Sequence, residues 1–251
     1  METTNLRAAR PPVRSLFTWP LLIGLVLVDL AFVVVSYVYE SRHGVDYLHT
    51  SPWLLEADGG YSEIWGYAIE TSLVVSLLAL AVLARRPVWI GWAALFLAAF
   101  ADDEMRLHEN KGAWLAEMLA KHLWFPADGF LGLRADDLGE MLVWGLLGVV
   151  PLALVVFFYR RSDSGTRRDV VGMAVLVALY VFFGGVVDQL HVLFLGGPLE
   201  NAVGTIEDGG ELVVLSLILS YVVTLHRTLR RARRSSAAEA APATAPALAS
   251  A

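Results

Sequence analysis

Cysteine is absent from the 251 residues, and charged residues are scarce, at 18% of the chain. The absence of cysteine excludes a disulfide framework, a thiolate metal site and a cysteine nucleophile. The sequence also lacks a glycine-rich phosphate loop, a nucleophile elbow, an HExxH zinc motif, a dinucleotide fingerprint and the long histidine clusters of membrane desaturases. No known catalytic motif therefore identifies a reaction.

Apolar residues dominate what is present, with 57% hydrophobic residues and a mean hydropathy of +0.58. Six stretches approach the roughly 20 apolar residues that a helix needs to cross a bilayer. They cover residues 16–39, 62–84, 88–109, 137–160, 170–194 and 207–229. In lipid such runs must be helical, because an isolated strand leaves its backbone polar groups unpaired. The sequence predicts an all-α membrane protein with six transmembrane helices arranged as three hairpins.

The charges predict an orientation for these helices. Fourteen of the 19 lysines and arginines lie before the first span, between spans 2 and 3, between spans 4 and 5, or after the sixth. By the positive-inside rule, both termini should be cytoplasmic. We expect a cytoplasmic lead over 1–15, a transmembrane domain over 16–230 and a disordered tail over 231–251. The predicted location is the cytoplasmic membrane of a prokaryote.

Acidic residues and histidines collect at the opposite ends of the spans. Outgoing helices end in "ESRH" (40–43), "DDEMRLHE" (102–109) and "VDQLH" (187–191). Two returning helices begin with "RADDLGEML" (134–142) and "TIEDGGELV" (205–213), which share an acid-acid-x-Gly-Glu pattern. The pattern indicates a duplicated hairpin, although short motifs in biased sequences also recur by chance.

The spacing of these residues predicts a metal site. Side chains three or four apart share a helix face, as do Asp188 with His191 and Glu104 with His108. If four such helix ends meet, carboxylates and imidazoles converge as they do in helix bundles that bind two metals. Such ligands suit one or two ions of Fe, Mn or Zn.

The predicted site residues fall into four groups. The principal ligands are His108, Glu140, Asp188, His191 and Glu211. Bridging or supporting acids are Asp103, Asp137 and Asp208, with Glu104 beside His108. Further possible ligands are Glu40, His43 and Glu63. Asp29 and Glu70 lie deeper in their spans and are candidate relay groups.

The motifs "DDEMRLHE", "DDLGEM" and "EDGGEL" resemble those of a loosely defined group of uncharacterised multi-pass bacterial membrane proteins. In that group an acid-rich "DE…LHE" ends one span and "EE..E" opens later ones. The resemblance covers roughly residues 95–220 and implies no known activity. The predicted set of carboxylate and histidine ligands on several helices is also similar to that of di-iron carboxylate bundles. The chain departs from their pattern because Met105, not Glu, precedes His108 by three, and the second strict acid-x-x-His is Glu40–His43.

Helix capping offers a simpler explanation for part of this pattern. Acids favour helix N-termini and histidines favour C-termini, which accounts for Asp136 and Glu207 without any function. It does not account for Asp102, Asp103 or Asp188, which lie near predicted helix C-termini. Unpaired ionised groups in lipid are costly, and the predicted outer side offers only Arg42, Arg106, Lys111, Lys121 and Arg134 as cations.

Three hypotheses follow for the function. The leading one is a membrane metalloprotein, for example a metal-dependent oxidoreductase or hydrolase, that acts on a lipid-soluble substrate. The second is a cation or proton transporter that uses the same acids, and it requires polar continuity to the cytoplasm. The third is an accessory subunit that docks a basic partner on exposed acids. The expected partner is the lipid bilayer, and no nucleic-acid partner is expected.

Overall fold

The computed structural model describes residues 16–43, 51–123 and 125–240, and these are helical apart from their connections. The helices are α1 (Trp19–His43), α2 (Tyr61–Ala84), α3 (Val88–Met105), α4 (Leu107–His122), α5 (Ala135–Arg160), α6 (Ser164–Val181), α7 (Asp188–Phe194) and α8 (Glu200–Ala240). A π-helical turn, Phe182–Val187, joins α6 to α7. One isolated bridge, between Phe130 and Leu133, is the nearest approach to a strand in these ranges.

Five helical segments are long and apolar enough to cross a membrane. They are Trp19–Tyr39, Tyr61–Ala84, Ala135–Arg160, Ser164–Phe194 and Glu200–Ala238. The prediction of an all-helical chain is therefore confirmed for the described residues, and these five helices are compatible with a membrane protein. The predicted third span corresponds to α3, which has only 18 residues and ends in three acids. The six-span topology and the orientation of the termini stay predictions.

The helices pack around α8 at the centre of the bundle. α1, α2, α6 and α7 all contact α8, while α3 lies between α2 and α5, and α4 packs along α5. α1 packs mainly on α8 and makes little contact with α2, so the first predicted hairpin is not a packed pair. α5 and α6 are consecutive but hardly touch, and this separation leaves a gap in the bundle wall.

The core lies between α2, α3, α6 and α8. Its fully buried side chains include Leu73, Leu77, Phe96, Met173 and Ile218. These helices are apolar on every face, as exposed Val75 and Val82 on α2 show, so the sequence does not distinguish the core positions from the exposed ones. Towards its C-terminus α8 continues as helix to Ala240, beyond the predicted end of the last span, and 241–251 lie outside the described residues.

Candidate functional site

Most acidic side chains lie at one end of the bundle, which we call the acidic end. It is the end at which α2, α5 and α8 begin and α3 ends. The opposite end carries the arginines of the α2–α3 and α5–α6 connections. There, Arg86 pairs with Asp163 at 2.5 Å and ties the two connections together.

A cavity of about 790 Å³, here called the cleft, opens where α5 and α6 separate. Its acidic and imidazole lining consists of Asp102, Asp103, His108, Glu140, Asp188, Glu207, Asp208 and Glu211. The rest of the lining is largely apolar and includes Leu95, Leu147, Leu152, Val177 and Leu193. Along α5 the cleft extends from Glu140 to Leu152, which is about 18 Å at 1.5 Å per residue. It therefore has one polar end and a long apolar body.

His108 is held at the polar end of the cleft by Asp102. The His108 Nδ1 lies 2.8 Å from Asp102 Oδ2, and its backbone N–H donates to Asp102 Oδ1 at 2.9 Å. Because Nδ1 is engaged by the carboxylate, Nε2 is the nitrogen left for a ligand.

The pairing of His108 with Asp102 depends on a break between α3 and α4 that was not predicted from the sequence. Arg106 adopts a left-handed conformation, φ 49°, which ends α3 at Met105 and lets α4 begin at Leu107. Glu104 and His108 therefore do not share a helix face, and that prediction is wrong. Glu104 is exposed and does not line the cleft.

A second carboxylate–histidine pair joins α7 to α8. The Nδ1 of His191 lies 2.8 Å from Glu207 Oε2, and the buried His191 Nε2 has no hydrogen-bond partner among the described residues. The π-helical turn precedes Asp188 directly and inserts one extra residue into the helix before this pair. Such turns alter which face the following side chains present and are frequent at functional sites.

The remaining principal ligands of the sequence prediction also reach the cleft. Glu140, Asp188 and Glu211 all line it, on α5, α7 and α8 respectively. Asp188 Oδ2 accepts a hydrogen bond from Gln189 Nε2 at 2.8 Å. A Cβ at Gly184 would overlap Glu211 Oε1, so the absence of a side chain in the π-helical turn makes room for that carboxylate. Of the five principal ligands, His191 is the one outside the cleft lining.

The supporting acids separate into two groups. Asp103 and Asp208 line the cleft and also a second, smaller cavity, which Glu63 and Glu70 line as well. Asp137 lines neither cavity. Its carboxylate instead accepts hydrogen bonds from Arg134, through the backbone N–H at 2.7 Å and the guanidinium at 2.5 and 3.0 Å, and so caps α5. The side chains of Glu40 and His43 lie outside the described residues.

The two candidate relay groups have different surroundings. Asp29 is fully buried and its carboxylate is satisfied, because Trp65 Nε1 donates to Oδ1 at 2.8 Å and Ser216 Oγ donates to Oδ2 at 2.6 Å. These bonds join α1, α2 and α8. Glu70 is 1% exposed and accepts one hydrogen bond, from Tyr180 Oη at 3.2 Å, while its Oε2 has no partner among the described residues.

Sequence reasoning missed two residues of the site. Asp102 was not among the predicted ligands, and Glu207 was assigned to capping. Glu207 instead lies seven residues beyond Glu200, at which α8 begins, and binds His191. The signal for Asp102 was its place as the first of three acids at a helix C-terminus, where the helix dipole disfavours negative charge.

The described side chains form no group of three His, Asp or Glu close enough together to hold a metal ion as they stand. The donors that line the cleft are suitable in type, and the two imidazoles are anchored as metal ligands commonly are, by a carboxylate on Nδ1. Direct coordination by three of them requires their side chains to move.

A family profile described as a domain of unknown function, DUF8692, matches residues 19–225. The match covers all of the spanning helices except the C-terminal part of α8. The chain therefore belongs to that family. No curated protein and no solved structure matches it.

Proposed function

We propose that the chain is an integral membrane metalloprotein that admits a lipid-soluble molecule to the cleft and presents its polar end to a bound transition metal. The observation that carries this proposal is the form of the cleft, about 790 Å³ with carboxylates and His108 at one end and apolar walls beyond. Ligand cavities are typically apolar with a few polar groups that fix orientation. A quinone, a fatty chain or an isoprenoid has the matching shape and polarity.

The gap between α5 and α6 supports entry from the bilayer. Its walls carry Met141, Val181, Leu190 and Leu193, each of them substantially exposed. In water an exposed apolar patch of this kind would be unfavourable, whereas in lipid it costs nothing. A lipid-soluble molecule therefore reaches the cleft without crossing an aqueous phase.

The metal would be held by His108 Nε2 together with Glu140, Asp188 and Glu211, all of which line the cleft. Asp102 would fix the imidazole, as carboxylates behind metal-bound histidines do. Mixed imidazole and carboxylate donors suit Fe, Mn or Zn. A metal of this kind would polarise the polar group of the substrate or activate a bound water. Both reactions fit the absence of any nucleophile motif.

The charge distribution supports an orientation with the acidic end outside the cytoplasm. Arginines gather at the opposite end of the bundle, where α2, α5 and α8 leave the spanning region. The positive-inside rule places that end in the cytoplasm. The site would then lie in the outer half of the cytoplasmic membrane.

The structure gives less support to a transporter. On α2 the residues that follow Glu70 on the buried face are Leu73, Leu77 and Leu80, all fully buried. Trp92 and Phe96 pack against this face. This face of α2 therefore offers no polar continuation from Glu70 towards the basic end, and ions in apolar protein are costly. Beyond Asp29 the buried polar groups among the described residues are the uncharged hydroxyls of Ser216, Ser220 and Thr18.

Elemental analysis of the detergent-purified chain tests the metal. After growth with added Fe, Mn and Zn, we expect about one or two equivalents of one metal, lost in His108→Ala and Glu140→Gln. Glu117→Gln is the matched control, because Glu117 is exposed on α4 and pairs with Lys121. Absence of a stoichiometric metal, or its retention in both cleft variants, would refute the metal assignment.

Extraction of bound lipid tests the cleft separately. Gly148 lines the cleft, and Gly24 on α1 has open space around the position of a Cβ. Gly148→Trp should fill the cleft and deplete a co-purifying lipid-soluble molecule, as measured by mass spectrometry, whereas Gly24→Trp should not. Equal lipid content in the two variants would argue against occupation of the cleft.

A further inference from the structure

The smaller cavity, about 200 Å³, lies beside the cleft at the acidic end and has a different character. Eight carboxylate residues line it: Glu56, Asp58, Glu63, Glu70, Asp103, Glu109, Asp208 and Glu211. Among the described residues, the other charged or titratable groups in this lining are Arg106, His108, Tyr67 and Tyr180. The cavity is therefore strongly acidic.

The single arginine does not reach the deeper acids. Arg106 is about half exposed and pairs with Asp58 at 3.0 Å and with Glu109. Glu70, Asp103 and Glu211 form no salt bridge with any described residue. Carboxylates that face a shared cavity without a cation repel one another, so they require protons or a bound cation.

Glu70 provides an independent indication of a ligand. It lies nine residues beyond Tyr61, about 13 Å along α2, and lines the cavity while being 1% exposed. Its Oε1 accepts a hydrogen bond from Tyr180, and its Oε2 has no partner among the described residues. Asp208 Oδ2 is likewise buried without a partner. A buried polar atom without a partner is unfavourable, and a group bound in the cavity would remove that penalty.

We propose that this cavity binds a partly hydrated divalent cation of the Mg²⁺ or Ca²⁺ type, held by Glu70 with Asp103 and Glu211. The deep lining offers carboxylate oxygens, which are the ligands such hard cations prefer. No three described acids or histidines stand close enough together to hold a metal ion as they stand, so the proposed ion needs waters between it and some of these carboxylates. The volume accommodates an ion together with several waters at roughly 30 Å³ each, and Mg²⁺ in particular keeps several of its waters beside one or two carboxylates. Glu211 lines both cavities and is shared with the proposed cleft metal, whereas Glu70 lines the small cavity alone.

Terbium luminescence tests the site in the full-length chain in detergent. Tb³⁺ is a probe for hard cation sites, and excitation of a nearby tyrosine sensitises its emission; Tyr67 lines the cavity. We expect saturable emission that Ca²⁺ or Mg²⁺ displaces. Glu70→Gln should weaken Tb³⁺ binding at least roughly tenfold. Glu117→Gln, on the exposed face of α4, should leave it unchanged.

Glu140→Gln separates this site from the cleft metal, because Glu140 lines the cleft but not the small cavity. That variant should keep Tb³⁺ binding, and Glu70→Gln should keep the transition metal. If Glu70→Gln fails to give folded protein by circular dichroism, Asp103→Asn takes its place with the same expected loss. Absence of saturable Tb³⁺ emission, or equal affinity in wild type and the folded cavity variant, would overturn the proposal.

Discussion

Asp102 holds His108 at two points, since one carboxylate oxygen accepts the backbone N–H at 2.9 Å and the other lies 2.8 Å from Nδ1. Asp102 is 3% exposed, so this carboxylate has few alternative partners. The ring is also edge-on to Trp144, with centroids 5.9 Å apart. The imidazole is therefore oriented by three contacts before any ligand arrives.

The first prediction concerns Asp102 as a positioning residue. Asp102→Asn keeps the size of the side chain but weakens its hold on the imidazole, so the affinity for the proposed metal should fall about 10- to 100-fold. Competition with a chelator of known affinity measures the change, and His108→Ala should abolish binding altogether. A variant with wild-type affinity would show that Asp102 serves only to join α3 to α4.

The sequence predicted the long apolar helices and most of the acidic and imidazole residues that line the cleft for simple physical reasons. Long apolar runs allow only helices, and acids such as Glu140 and Glu211 stand out because nothing nearby neutralises them. Both of these acids line the cleft, in agreement with the repeated acid-acid-x-Gly-Glu pattern. The convergence of these acids on one cavity was a condition of the predicted metal site that the sequence could not establish, and the elongated form of the cavity could not be inferred from it either.

Other features of the site could not be predicted from the sequence, because they depend on the backbone conformation of single residues and on tertiary contacts. The left-handed Arg106 is not a glycine or an asparagine, so no local signal marks the break between α3 and α4. Asp137 and Asp208 occupy equivalent positions in the repeat. The Asp137 carboxylate pairs with Arg134, whereas Asp208 Oδ2 is buried without a partner among the described residues. The difference lies in the neighbours that folding supplies.

The second prediction uses two adjacent glycines in the π-helical turn. A Cβ at Gly184 would overlap Glu211 Oε1 and lie 2.9 Å from the Trp144 ring, whereas a Cβ at Gly185 would meet nothing closer than 3.9 Å. Gly184→Ala should therefore displace Glu211 and lower metal and Tb³⁺ affinity. Gly185→Ala should leave both affinities unchanged. Equal effects of the two variants would contradict the placement of Glu211 against the turn.

The third prediction concerns the contact between α4 and α5. A Cβ at Gly139 would overlap the carbonyl oxygen of Gly112, and this carbonyl cannot move without its helix. Gly139→Ala should destabilise the protein by about 1–3 kcal/mol, as overpacking of a tight contact does. Thermal unfolding in detergent measures the effect. On the same helix Gly145 has open space, so Gly145→Ala should be neutral or slightly stabilising. A neutral Gly139→Ala would show that the two helices are less closely packed.

The last prediction concerns pH and the connection between α5 and α6. Asp163 caps α6 by accepting hydrogen bonds from the Thr166 backbone N–H at 2.9 Å and hydroxyl at 3.0 Å, and it pairs with Arg86. Burial alone would raise the pKa of Asp163, but these hydrogen bonds and the arginine hold it below its usual value of 3.8. Because the folded-state pKa is lowered, the charged form stabilises the protein above the unfolded pKa, and that stabilisation is lost as the pH falls through the folded value.

Asp163→Asn isolates this charge, because asparagine is an equally good N-cap residue. The variant should unfold at a lower temperature than wild type at pH 7, by an amount equivalent to at most about 1 kcal/mol, since the Arg86–Asp163 pair is half exposed and screened. The difference should shrink below about pH 4, where the aspartate of the unfolded chain is protonated. Asp163→Ala, which removes the cap as well, should keep a deficit at low pH. If wild type still unfolded at a higher temperature than Asp163→Asn by the same amount at pH 3, the charge of the Asp163 carboxylate would not be the source of the difference.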